Sequence, residues 1–130
     1  EYINQNIDEK YRQTTIRDML TMRSCMANYA NWWGENDRIK AYFSVTSNQT
    51  PGTNFHYDSA GSFLLGCIVE KLTGMPFLEY LKQKILLEIG FSEESYCLLA
   101  PGGHSISDSG VMCTTRDLLI FARFVMNGGV

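Results

Sequence analysis

The chain lacks the residue groupings on which several function classes depend. It has no run of Lys and Arg, and 11 basic residues against 14 acidic ones leave a net charge of −3. Nucleic-acid backbones are bound by clustered cations, so nucleic acid is excluded as a partner. Histidine is scarce, with only His56 and His104, and the four cysteines, Cys25, Cys67, Cys97 and Cys113, form no CxxC pair. That spacing gives a metal site no support, and neither a metal nor a cofactor is expected. Cys67 falls within an apolar run and reads as a buried small hydrophobe, while pairing among the other cysteines is left open. Long apolar runs are missing too: the longest, 63–69, contains Gly66 and is far too short to span a bilayer. Position 1 is Glu, and Asn127, Gly128, Gly129 and Val130 read as a helix just capped with the chain about to continue. An excised piece of a longer protein is therefore expected, and the compartment is left open.

What is present is material for one packed core. In 130 residues, 45% are hydrophobic and 12% aromatic, which suits a single structural unit and argues against disorder. Residues 1–13 are polar with scattered apolar side chains and receive no firm assignment. Thr15 followed by Asp18 resembles a capping box and predicts a helix from about Ile16 to Met22. Asn36 and Asp37 read as a second start, with Ile39, Tyr42 and Phe43 at helical spacing. Trp32 and Trp33 read as packing residues, with a ligand wall as the alternative. Residues 47–52 are a loop by composition.

Residues 51–74, PGTNFHYDSAGSFLLGCIVEKLTG, join a polar aromatic segment directly to the most apolar helix of the chain. Leu65, Ile68, Val69 and Leu72 recur at i, i+3, i+4 and i+7 and predict its buried face; Ser62, Gly66 and Glu70 fall on another. Gly74 stops it. Pro76 suits the first position of the next helix, in which Phe77, Leu78, Leu81 and Ile85 face one side and Glu79, Lys82 and Lys84 face outward, with Gly90 as the stop. Residues 91–112 read as a long loop holding one short strand pair. Thr114 to Asp117 repeats the capping device before a helix lined by Leu118, Phe121, Ala122 and Val125. The result is a mainly α unit of about five helices.

Two sets of residues are candidates for chemistry. Gly103, His104, Ser105, Ile106 and Ser107 approach the GxSxG pattern, but Ser107 stands where the last Gly belongs and no strand-to-helix pattern surrounds it. A triad of Ser105, His56 and either Asp58 or Asp108 can be written on paper, yet triads are defined by geometry and not by spacing. Tyr57 is the better candidate, placed at a helix mouth where backbone donors are free. A phenol with an ordinary pKa of about 10 acts as a base at neutral pH only where cations favour the phenolate. Burial with a hydrogen-bonded hydroxyl is the structural alternative.

Four blocks of the chain resemble the serine β-lactamase-like superfamily of class C β-lactamases, penicillin-binding proteins and esterases. TIRDMLTMRS is similar to the family's TIRDLLTHTSG, and PGTNFHYDSAGSFLLGCIVEKLTG to PGxxFxYSNxGYxLLGxIIExxTG. FLEYLKQKILLEIGF resembles FxEYLxxxIFxPLGM, and SGVMCTTRDLLIFARFVMNGG resembles GGLxSTxxDLxxFxxxxLNGG. The resemblance implies a helical subdomain of an α/β fold whose sheet lies largely outside this chain. It implies acyl-enzyme hydrolysis of a lactam, amide or ester, with a small-molecule or peptide substrate. Tyr57 then matches the tyrosine of the YxN motif, and Ser59 stands at the position of its Asn, a substrate-binding residue. A hydroxyl cannot offer the paired donor and acceptor of a carboxamide. No SxxK and no KTG occurs in the 130 residues, so the fragment alone is expected to be inactive. Met22, Cys25 and Glu88 also depart from the pattern, in ways that read as structural. The alternative is a binding or sensor domain with the same fold and no turnover.

Overall fold

The computed structural model describes residues 7–26 and 32–130, without the side chain of Trp33. The start of the polar lead-in and the Trp33 side chain lie outside the described residues. Among the described residues six α-helices run in order: α1 (Glu9–Gln13), α2 (Ile16–Leu20), α3 (Arg38–Ser44), α4 (Ser59–Thr73), α5 (Phe77–Leu81) and α6 (Thr115–Met126). A 3-10 turn at Trp32–Gly34 precedes α3, and α5 continues as a π-helical stretch at Lys82–Leu86. The two strands, β1 (Tyr96–Cys97) and β2 (Val111–Met112), pair antiparallel with Tyr96 opposite Met112. The protein is thus mainly α, and the strand pair within the long loop is present as expected. Among the described residues no single helix is long and apolar enough to cross a membrane.

Local sequence signals set most helix ends. Thr15 and Thr114 each accept from the backbone N–H three residues on, while Asp18 and Asp117 reach back, so both capping boxes form. Asp37 caps α3. Gly74 closes α4 in the left-handed region at φ 69°, where a side chain would be strained. Pro76 is the N-cap of α5, one position earlier than expected. The lead-in also holds more order than its composition predicts. Asp8 caps α1 by accepting from Lys10 N, and Tyr11 donates its hydroxyl to the carbonyls of Tyr42 and Val45, both at 2.9 Å.

The larger core gathers Tyr11, Cys25, Trp32, Tyr42, Phe63 and Leu64 from α1, α3, α4 and the connecting segments. The smaller one is Leu78, Leu86 and Phe91, flanked by the strand pair. Three expected faces are corrected. In α4 the buried residues are Ala60, Gly61, Phe63, Leu64, Gly66 and Cys67, whereas Ile68 and Leu72 are exposed. The helix is apolar nearly all round, so hydrophobic spacing does not choose the face; small residues do, by letting neighbours approach. A Cβ on Gly66 would overlap the side chain of Ser107. In α6, Leu118, Phe121, Ala122 and Val125 lie on the exposed side, and the buried residue is Asp117. Lys82 is not outward. It is buried, and its ammonium donates to the carbonyls of Ser95 at 2.6 Å and Glu93 at 2.8 Å and pairs with Glu79.

Candidate functional site

The lip around Tyr57 is built by stitching two loops together ahead of α4. The segment after α2 offers carbonyls to which backbone N–H groups of the 48–56 loop donate in turn. Cys25 O receives Asn48 N and Gln49 N, Arg23 O receives Gly52 N, and Met22 O receives His56 N at 2.8 Å. Gly52 has φ 77°, and a Cβ there would stand 3.1 Å from the Asp18 carboxylate, so the Pro-Gly turn needs its glycine. Met22 reaches its carbonyl position at φ 54°, the one positive φ among the described residues other than glycine.

Asp58 then fixes the start of α4. Its Oδ1 accepts from Gly61 N at 2.7 Å, and its Oδ2 accepts from the Ser24 hydroxyl at 2.7 Å and, at the limit of a hydrogen bond, from Tyr42 at 3.5 Å. A Cβ on Gly61 would lie 2.5 Å from that carboxylate, so glycine keeps the cap in place. Burial drives the Tyr42 phenol well above its ordinary value, which keeps it a neutral donor.

Next to this anchored carboxylate, Tyr57 turns outward. It is 69% exposed, as is Phe55 at 67%, and its hydroxyl makes no hydrogen bond among the described residues. The structural alternative of a buried, hydrogen-bonded tyrosine is therefore not what is seen. Ser59 follows as the first residue of α4, half-buried, close to the unpaired backbone N–H groups of the first turn. Tyr57 and Ser59 thus flank Asp58 on one helix mouth, and the lip can present a phenol and a short hydroxyl to a ligand outside it.

The paper triad does not assemble. Ser105 is 2% exposed and sits in an isolated bridge opposite Leu99, not on a strand-to-helix elbow. Its hydroxyl donates to Glu70 Oε1 at 2.5 Å. His56 precedes α4 while Glu70 lies near its end, about 18 Å along the helix from Asp58 at 1.5 Å per residue. Asp58 is spent on capping, and Asp108 is half-buried, with burial raising its pKa and the Ser109 hydroxyl donating to it.

Sequence reading missed a polar cluster at that far end. Glu70 Oε1 also accepts from Ser105 N and Phe77 N, each at 3.1 Å, and Oε2 accepts from His104 Nδ1 at 2.8 Å. Burial alone would raise the Glu70 carboxyl, but the hydrogen bonds from Ser105 and His104 hold it below the usual range. Cys67 lies one turn earlier, its thiol pushed up to about 12 by burial. The available signal was Glu70 itself, the one carboxylate inside α4.

The β-lactamase family model matches residues 1–130. The 6-aminohexanoate-dimer hydrolase of Paenarthrobacter ureafaciens is 32% identical over 89 residues, which cover 68% of this chain and 23% of that protein. Penicillin-binding protein 4* of Bacillus subtilis (strain 168) is 27% identical over 101 residues, covering 64% of this chain and 21% of its own length. Among solved structures, a penicillin-binding protein from Bacillus halodurans superposes with a TM-score of 0.71 at 21% identity, over 95% of this chain and 49% of that one. The chain therefore spans less than a quarter of the curated relatives it matches.

Proposed function

The chain belongs to the β-lactamase family, and we propose that it forms the Tyr57 wall of a serine acyl-transfer site acting on an amide, lactam or ester. The supporting observation is the outward phenol of Tyr57, held between a backbone hydrogen bond at His56 and the buried cap at Asp58. A phenol so placed would take the proton from a nucleophilic serine as it attacks the carbonyl and pass it to the leaving group, and the acyl-enzyme so formed splits one difficult displacement into two easier steps. The serine and lysine of an SxxK motif, and the oxyanion donors, come from sequence outside residues 1–130. In that arrangement these residues are a single helical subdomain, with the sheet of the α/β fold elsewhere.

Ser59 favours hydrolysis of a substrate that needs little amide recognition from this lip. Its hydroxyl is shorter than the carboxamide it replaces and offers one donor. The same substitution carries a second reading, a binding domain with the fold but no turnover. The two separate in a longer form of the protein that includes an SxxK segment, assayed on linear amides, esters and β-lactams. Tyr57→Phe is expected to lower kcat by about 100- to 10,000-fold on any substrate turned over, the range of general acid–base catalysis. Unchanged rates would remove Tyr57 from the mechanism, and binding with no turnover of any substrate would establish the second reading. Residues 1–130 alone are expected neither to hydrolyse nitrocefin nor to be labelled by a fluorescent penicillin.

A further inference from the structure

We propose that Cys67, Glu70 and His104 form a binding site for a zinc-class divalent metal ion at the far end of α4 from Tyr57. One Sγ, one carboxylate oxygen and one imidazole nitrogen from these residues lie within 4.8 Å of one another. Bond lengths of 2.3 Å to sulfur and about 2.0–2.2 Å to nitrogen or oxygen separate the ligand atoms of a tetrahedral zinc by roughly 3.3 to 3.6 Å. Side-chain movements of no more than about 1.5 Å close the set. The mixed S, N, O donor set suits zinc or cobalt and disfavours magnesium and calcium, which take oxygen ligands.

The framework around these atoms is ordered in the way metal ligands require. Cys67 and Glu70 are one helical turn apart on α4, so a rigid element sets their spacing. Glu70 Oε1 is held by Ser105 N, Ser105 Oγ and Phe77 N, which leaves Oε2 directed at His104. A metal would replace the contact between Oε2 and His104 Nδ1, while the three donors on Oε1 stay and orient the carboxylate. The His104 ring stands edge-on to Phe63 at 6.4 Å, which limits its rotation. Cys67 is 4% exposed, while the side chains of His104 and Glu70 are 27% and 14% exposed, so the imidazole edge faces the approach. Binding releases the thiol proton of Cys67 to solvent. The ion would tie α4 to the loop carrying His104, with water as its fourth ligand.

The test uses residues 1–130 titrated with Co²⁺ and with Zn²⁺. One Co²⁺ per chain should bind, with a thiolate-to-cobalt charge-transfer band in the near ultraviolet and tetrahedral d–d bands in the visible. Zn²⁺ should displace it and raise the thermal midpoint. Cys67→Ser should abolish the charge-transfer band, and Cys25→Ala should keep it. Ser105→Ala should weaken binding by about 10- to 100-fold, the usual cost of losing an outer hydrogen bond to a ligand. His104→Gln lies on a half-exposed loop and covers the case in which Cys67→Ser fails to fold, as judged by circular dichroism; it should weaken binding at least as much. No binding by the unaltered chain, a band that survives Cys67→Ser, or unchanged affinity in folded His104→Gln would each overturn the site. None of these results depends on catalytic activity.

Discussion

Replacing Asp58 with Ala should cost about 2 to 3 kcal/mol of folding stability, and the sum can be worked from its three partners. Loss of the N-cap at Gly61 N is worth about 1 kcal/mol. Ser24 is 1% exposed and loses its best acceptor, at 2.7 Å, although its hydroxyl keeps the Met26 carbonyl at 3.3 Å. A buried hydroxyl left partly satisfied costs about 1 to 2 kcal/mol, towards the lower part of the range for an orphaned group. Tyr42, at 3.5 Å, adds little. Asp58→Asn should cost only about 1 kcal/mol, because asparagine caps as well as aspartate and the Ser24 hydroxyl can turn to accept from the amide. Urea unfolding followed by tryptophan fluorescence reports both, since Trp32 is buried against Phe63. The midpoint should move while the slope stays constant. A cost for Ala below about 0.5 kcal/mol, or equal costs for Ala and Asn, would refute the assignment of Asp58 as the anchor of the Tyr57 lip.

Lys82→Met keeps the buried stem but removes the ammonium from the Ser95 and Glu93 carbonyls. It should destabilise by about 2 to 4 kcal/mol in thermal or urea unfolding, since hydrogen bonds to a charged group are worth about 1.5 to 3 kcal/mol each and both carbonyls lose a partner, offset in part by the desolvation cost that goes with the buried ammonium. Acid should act through Asp8, Asp18 and Asp117, whose carboxyls are held below their ordinary 3.8 by hydrogen bonds, first from Ser47, Thr15 and Thr114 respectively. Their folded values lie under their unfolded ones, so their contribution is complete above about pH 4 and is lost as pH falls further, through the folded values. Circular dichroism against pH should show that loss in the unaltered chain and a weaker pH dependence in Asp117→Asn.

Features encoded by neighbouring residues were legible, and features decided by distant contacts were not. Thr15 with Asp18, Thr114 with Asp117, and Gly74 act within one turn of the backbone, and each ends its helix where sequence placed it. The buried face of α4 depends instead on which neighbour comes close, and Gly66 meets Ser107 across 41 positions of sequence. Lys82 reads as a surface cation because its carbonyl partners lie 11 and 13 residues away in an irregular loop. The position of Tyr57 at the mouth of α4 was legible, because an Asp directly before an apolar run is a cap signal in its own right. Glu70 was not, since His104 and Ser105 approach it from 34 and 35 residues away.

These contacts divide α4 into two ends with different demands. At the N-terminal end, Asp58 is fastened while its neighbour Tyr57 is exposed; were Tyr57 the proposed proton relay, this anchoring would preserve the orientation on which a relay depends. The hydrogen bonds of His56 N to Met22 and of Asp58 to Gly61 and Ser24 restrain the backbone on both sides of that phenol. At the other end, Glu70 spends all four of its hydrogen bonds within the protein and leaves Ser105 sealed. A serine that is 2% exposed and donates to a carboxylate cannot meet a carbonyl carbon, whereas an exposed phenol can meet a proton. The two ends therefore differ in access, with an exposed phenol at Tyr57 and a buried polar cluster at Ser105.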